Sequence, residues 1–117
     1  MKQLLNIIIM LSFLGFGKSN AQTKKEFKDP LNTAVFTTKY VIEENKDITY
    51  VTHELEDGSW QFFSDDKFED FTKVALLVSI ENIIKRDKTV LEIADLPLGC
   101  YAKRKNRTEK WEIFKTK

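Results

Sequence analysis

The sequence predicts an α+β domain, an antiparallel-rich sheet built on a DG-turn hairpin with two short helices packed on one face. Three observations carry that prediction. Ile48 to Ser64 (ITYVTHELEDGSWQFFS) alternates apolar and polar residues on both sides of Asp57-Gly58, a pair that tolerates the positive φ of a two-residue hairpin turn. Ile80, Ile83 and Ile84 follow Ser79 at i, i+3, i+4 spacing, the pattern of a capped amphipathic helix. The remaining apolar runs are short and rich in β-branched and aromatic residues, which suits strands on a half-buried surface.

In chain order, residues 1–21 read as a cleavable secretory signal. Lys2 gives a positive start, Leu4 to Phe16 is apolar apart from Asn6 and Ser12, and Ser19-Asn20-Ala21 places small residues where a signal peptidase reads them. The 13 apolar-run residues would span about 20 Å as a helix, short of the roughly 30 Å hydrocarbon core. A mature chain beginning at Gln22 is therefore expected, exported to the periplasm or beyond, with no stable membrane anchor after cleavage. Removing Lys2 and Lys18 takes the formal charge from +1 to −1, and a near-neutral chain lacks the basic excess that nucleic-acid binding needs.

Residues 22–32 are polar, contain Pro30 and lack periodicity, so a flexible leader is expected there, with a single domain over residues 33–117. Ala34 to Ile42 reads as the first strand and residues 43–47 as a charged turn. In the hairpin, a turn flanked by Glu56 and Ser59 pairs Leu55 with Trp60, Glu54 with Gln61, His53 with Phe62 and Thr52 with Phe63. Val51, His53, Leu55, Trp60 and Phe62 then share the core face, with Tyr50, Thr52, Glu54, Gln61 and Phe63 on the other. Asp65 to Phe71 is a polar connection holding Phe68 and Phe71, and Val74 to Val78 is a short buried strand. Residues 80–86 form one helix. Asp87 caps a second, which carries Val90, Leu91 and Ala94 and stops before Pro97. Tyr101 to Lys105 and Lys110 to Lys115 close the order β-β-β-β-α-α-β-β. The twelve aromatics of the mature chain are expected to supply much of the core.

The residues ITYVTH running into DGSWQF, then Val78-Ser79-Ile80, then Ala94-Asp95-Leu96-Pro97-Leu98-Gly99 with Ala102 and Arg104, resemble a family of small bacterial domains of unknown function grouped with predicted immunity proteins of polymorphic toxin systems. The resemblance runs from about Ala34 to Trp111. It implies an α+β fold and supplies no catalytic residue. Lys88 departs from the proline that members often carry after the aspartate, and an export signal is unusual among them.

Chemistry-bearing groups are few. His53 and Cys100, the only histidine and the only cysteine, make the single nucleophile pair that could be drawn, and no third orienting group accompanies them. A structural histidine and a buried structural thiol are the better readings. Asp65, Asp66, Glu69 and Asp70 lack the spacing of a calcium loop. The only glycines after residue 21 are Gly58 and Gly99, too few for a phosphate loop, so neither cofactor nor metal is expected. Charge is uneven: Glu43 to Asp70 holds ten acidic and two basic residues, Tyr101 to Lys117 seven basic and two acidic.

These features favour a non-catalytic protein-binding module of immunity or inhibitor type, not an enzyme. Glu54, Glu56, Asp57, Asp65, Asp66, Glu69 and Asp70 are its expected partner-binding residues. Two alternatives are a small-molecule-binding or minor enzymatic domain with an aromatic groove near His53, and a structural cell-envelope protein.

Overall fold

The computed structural model describes residues 25–116; the secretory signal expected over residues 1–21 lies outside them. Six strands form one sheet: β1 (Ala34–Thr38), β2 (Tyr50–His53), β3 (Trp60–Phe63), β4 (Ala75–Ser79), β5 (Cys100–Lys103) and β6 (Glu112–Lys115), in the spatial order β4-β1-β3-β2-β5-β6. Only the β1–β3 contact is parallel; the other four neighbouring pairs are antiparallel. This is the α+β, antiparallel-rich arrangement the sequence predicts.

Between strands lie α1 (Lys39–Ile42), α2 (Phe71–Val74), α3 (Ile80–Arg86) and a 3-10 helix (Lys88–Ile93). Each begins on a capping side chain that satisfies an orphan backbone donor: Thr38 for Val41, Asp70 for Thr72, Ser79 for Asn82 and Asp87 for Thr89. The first strand is thus shorter than expected. Thr38 caps a helical turn over Lys39–Ile42 that ends at Glu43, and beyond it Asn45 turns the chain in the left-handed region at φ 57°.

Strand alternation sorts the sheet into two faces. On one, Val35, Val51, Trp60, Phe62 and Ala102 pack with Ile80 and Ile83 of α3 and with Val90, Ile93, Ala94 and Leu96, all but closed to solvent. Burying Trp60 and Phe62 stabilises the domain by about 1.5–3 kcal/mol each. Phe27 joins this core, its ring edge-on to Trp60 at 4.9 Å. Around it Lys25 reaches Asp95 at 3.3 Å, and the Trp60 indole donates to Asp29 at 3.3 Å. Composition alone marked this segment as leader, because one aromatic among polar residues has no periodicity.

The hairpin departs from the expected register by two residues. Tyr50 opposes Phe63, Val51 opposes Phe62, Thr52 opposes Gln61 and His53 opposes Trp60. A shift of two preserves the faces, so Val51, Trp60 and Phe62 remain core while Leu55 leaves the ladder and is 69% exposed. The cause is the turn. Glu54 N–H donates to the Ser59 carbonyl at 2.8 Å and Gly58 N–H to the Glu54 carbonyl at 2.9 Å, enclosing a four-residue loop in place of a two-residue turn. Only Gly58 there takes a positive φ, 72°. Asp57 Oδ1 accepts from Ser59 N–H at 2.9 Å.

Candidate functional site

The second face of the sheet carries the aromatics that the core does not take. Phe36, Phe71, Phe63, Tyr50, Tyr101 and Phe114 form a row in which successive ring centroids are 5.2 to 6.0 Å apart. Phe68 stands beside it, 6.2 Å from Phe63 and 5.8 Å from Phe71. The row crosses β1, β3, β2, β5 and β6, reaching from near one edge of the sheet to the other. Aromatic neighbours at such spacing add stabilisation beyond area burial, yet the row stays partly wet: Phe68, Phe114 and Leu77, which opposes Phe36 on β4, are 39%, 40% and 62% exposed. The aromatics therefore divide between two faces instead of filling one core, because Phe62-Phe63 and Tyr50-Val51 are consecutive and must point opposite ways.

Beside the middle of this row, where β3 runs into the 64–70 connection, lies a groove of about 680 Å³, lined by Tyr50, Phe63, Phe68, Tyr101, Asp65 and Lys103 among others. Its floor is the sheet and its wall the 64–70 connection. Ser64 holds that wall, donating to Asp66 Oδ1 at 2.6 Å, and Lys46 pairs with the same carboxylate at 3.6 Å. The Tyr50 hydroxyl is raised above its ordinary pKa, first by burial, then by Tyr101 and Glu54, so it stays a neutral donor at physiological pH.

The seven acidic residues expected at a partner surface fall in two groups along β3. Glu54, Glu56 and Asp57 sit in the hairpin loop, at the start of β3, and Asp65, Asp66, Glu69 and Asp70 follow its end. The four residues of β3 put roughly 13 Å of strand between the two groups. Within the first, the Asp57 carboxyl is held below its usual range by hydrogen bonds from Ser59. Within the second, Asp66 is tied to Ser64 and Lys46, and Asp70 caps α2 by accepting from Thr72 N–H and Oγ1. Asp65 lines the groove, as well as a smaller adjoining one of about 290 Å³ beside Asn45 and Asn106.

His53 and Cys100 are cross-strand partners on the helix-covered face, but the imidazole is otherwise engaged. Its Nδ1 donates to the Leu96 carbonyl at 2.7 Å, and the ring stacks on Trp60 at 3.9 Å between centroids. Cys100 is half-buried, less enclosed than expected, because it starts β5 directly after the exposed turn at Leu98. The groove lies on the opposite face, so an aromatic groove at His53 is not what the fold builds. Among the described residues no group of three or more His, Cys, Asp and Glu could hold a metal ion, and no helix is long and apolar enough to cross a membrane.

One buried polar cluster escaped sequence reading. Arg104, fully buried, donates to Asp87 Oδ2 at 2.7 Å, to the Ile48 carbonyl at 3.0 Å and to Thr89 Oγ1 at 2.8 Å, with its guanidinium 4.0 Å above the Trp111 ring. Asp87 was visible as a cap and Arg104 as part of a motif. Nothing in their spacing joined them.

Comparison with known proteins places this geometry. The model of the Immunity protein Imm33 domain matches residues 35–115, which takes in every strand except the first residue of β1, the aromatic row, the groove and the Arg104 cluster, and leaves out Phe27. No curated protein and no solved structure matches the chain.

Proposed function

The chain belongs to the Imm33 immunity protein domain family, and from that premise we propose that it is a non-catalytic module that binds a protein toxin and blocks it by occlusion, through the open aromatic face of its sheet. The observation that carries this reading is the row Phe36-Phe71-Phe63-Tyr50-Tyr101-Phe114, left partly wet beside exposed Leu77 while α3 and the 3-10 helix cover the other face except at the β6 edge, where Ile113 is 53% exposed. A contiguous apolar surface on an otherwise charged small domain costs solubility unless a partner covers it, and aromatic side chains are enriched at the centres of interfaces. The export signal read in residues 1–21 supports action outside the inner membrane.

The test uses chain starting at Gln22 and two exposed row-face variants, Phe114→Glu and Leu77→Glu. A partner captured from envelope extract is identified, purified and titrated against each. Both variants should stay folded, Phe114→Glu with a modestly lower melting temperature from its lost stacking on Tyr101, and lose at least tenfold in affinity. Unchanged affinity would remove the face from the interface, and failure of any purified toxin to bind would remove the immunity reading.

A further inference from the structure

We propose that the groove between β2, β5 and the 64–70 connection is the seat for one basic side chain, arginine or lysine, of the protein partner; this rests on the immunity-type reading above. The groove offers the two things a cation seeks on leaving water. One is the ring surface of Tyr50, Phe63, Phe68 and Tyr101, whose π faces are negative. The other is a carboxylate that the fold does not use: among the described residues Asp65 has no hydrogen bond or ion pair, whereas its neighbour Asp66 is taken by Ser64 and Lys46. The connection is itself acidic, with Asp65, Asp66, Glu69 and Asp70 around the single Lys67.

Two cations line the groove, Lys103 and Arg104: the Arg104 guanidinium is committed to buried Asp87, and the cross-strand neighbour of Lys103 on β6 is Glu112, on the same face, where opposite charges at paired positions attract. Glu54 adds negative charge along the row, as its effect on the Tyr50 hydroxyl records. A partner carboxylate would therefore meet mostly like charge, while a guanidinium could stack on a ring and bond Asp65 at once. The aromatic row then serves as the broad apolar contact and the groove as the point that sets register along it.

The seat can be tested without the partner. Chemical-shift titration of the chain starting at Gln22 uses acetyl-arginine amide, with acetyl-citrulline amide as its uncharged isostere and acetyl-glutamate amide as the opposite charge. Saturable shifts at Tyr50, Phe63, Phe68 and Tyr101 are expected with the arginine probe, at least threefold weaker with citrulline and at least threefold weaker in Asp65→Asn. Asp65 is exposed, so that variant should keep the parent spectrum elsewhere. Equal binding of arginine and citrulline, tighter binding of glutamate, or no saturable shift overturns the proposal. A purified toxin whose affinity falls in Phe114→Glu but not in Asp65→Asn also overturns the seat while leaving the immunity reading intact. The arginine probe seated as described, with no toxin bound, does the reverse.

Discussion

Arg104 Nη2 and Asp87 Oδ2 lie 2.7 Å apart with side-chain exposures of 0% and 2%. That pair fastens the end of β5 to the junction of α3 and the 3-10 helix, and the guanidinium's bond to the Ile48 carbonyl adds the approach to β2. Three stretches distant in sequence thus meet at one planar group. Arg107 approaches the same carboxylate at 3.5 Å from a half-exposed position, where its contribution is screened.

Removing Asp87 leaves Arg104 buried without its counter-charge, and removing Arg104 leaves Asp87 only the half-exposed Arg107, a loss of about 3–5 kcal/mol. Arg104→Ala and Asp87→Ala should each lower the melting temperature by about 12 °C or more, given about 4–8 °C per kcal/mol in a domain of this size. Asp87→Ala also strips a helix cap, so it should be the worse of the two by about 1 kcal/mol. Chemical denaturation of both single variants and the double variant measures this. A double variant no better than the sum of the singles would show that the two residues act independently.

For His53 the expected outcome is loss of stability without loss of binding. His53→Leu removes the bond to the Leu96 carbonyl and leaves that acceptor to find water, at a cost of about 1–3 kcal/mol, while the stacking area on Trp60 is partly kept. Because the ring lies on the face opposite the groove, toxin affinity should be unchanged. An inactive variant with an unaltered melting temperature would bring the neighbouring Cys100 thiol back into consideration as a functional group.

Gly58 tests the hairpin loop. A Cβ there would meet no atom within 4 Å, so the cost of Gly58→Ala is purely that of holding an L-residue at φ 72°, about 1–2 kcal/mol. Gly58→Asn should recover part of it, since asparagine visits that region more readily. Equilibrium unfolding of the two variants gives the comparison. Equal stability for glycine, asparagine and alanine would mean that the loop relaxes into another turn.

Much of the fold was legible because its signals are local. Caps at Ser79 and Asp87, the isoleucine stripe of α3 and the period of two in each strand were readable one element at a time. What failed was whatever depended on an element's neighbour. Asp57-Gly58 is compatible with a two-residue turn and with a four-residue loop, and both give the same faces, so Leu55 was assigned to a core it never enters. Phe27 had no pattern to betray it until Trp60 was seen beside it. The candidate site was harder still, since Phe36, Phe63, Tyr50, Tyr101 and Phe114 come from five strands and become one surface only through the order β4-β1-β3-β2-β5-β6.

Tyr50 links that surface to pH. Its phenolate is disfavoured in the fold by partial burial first, and then by the negative charges of Tyr101 and Glu54, so its folded pKa lies above the ordinary value of 10.0. A tyrosine in the unfolded chain ionises near 10. Between the two values the unfolded state gives up its proton while the folded state keeps it, and unfolding gains free energy from that release. The contribution of Tyr50 to stability is therefore complete below pH about 10 and is lost as pH rises through the folded value. Tyr50→Phe cannot ionise and should flatten the alkaline fall of the denaturation midpoint, while leaving stability at neutral pH nearly unchanged apart from the hydroxyl's own hydrogen bonding to water. Glu54→Gln removes the third-ranked cause, narrows the gap between the folded and unfolded pKa, and should make the alkaline fall slightly smaller with its onset unmoved. Midpoints measured from pH about 8 upward for the three proteins decide the matter. A parallel fall in parent and Tyr50→Phe would assign the alkaline loss to other groups, and would mean that the aromatic row does not set the ionisation of Tyr50.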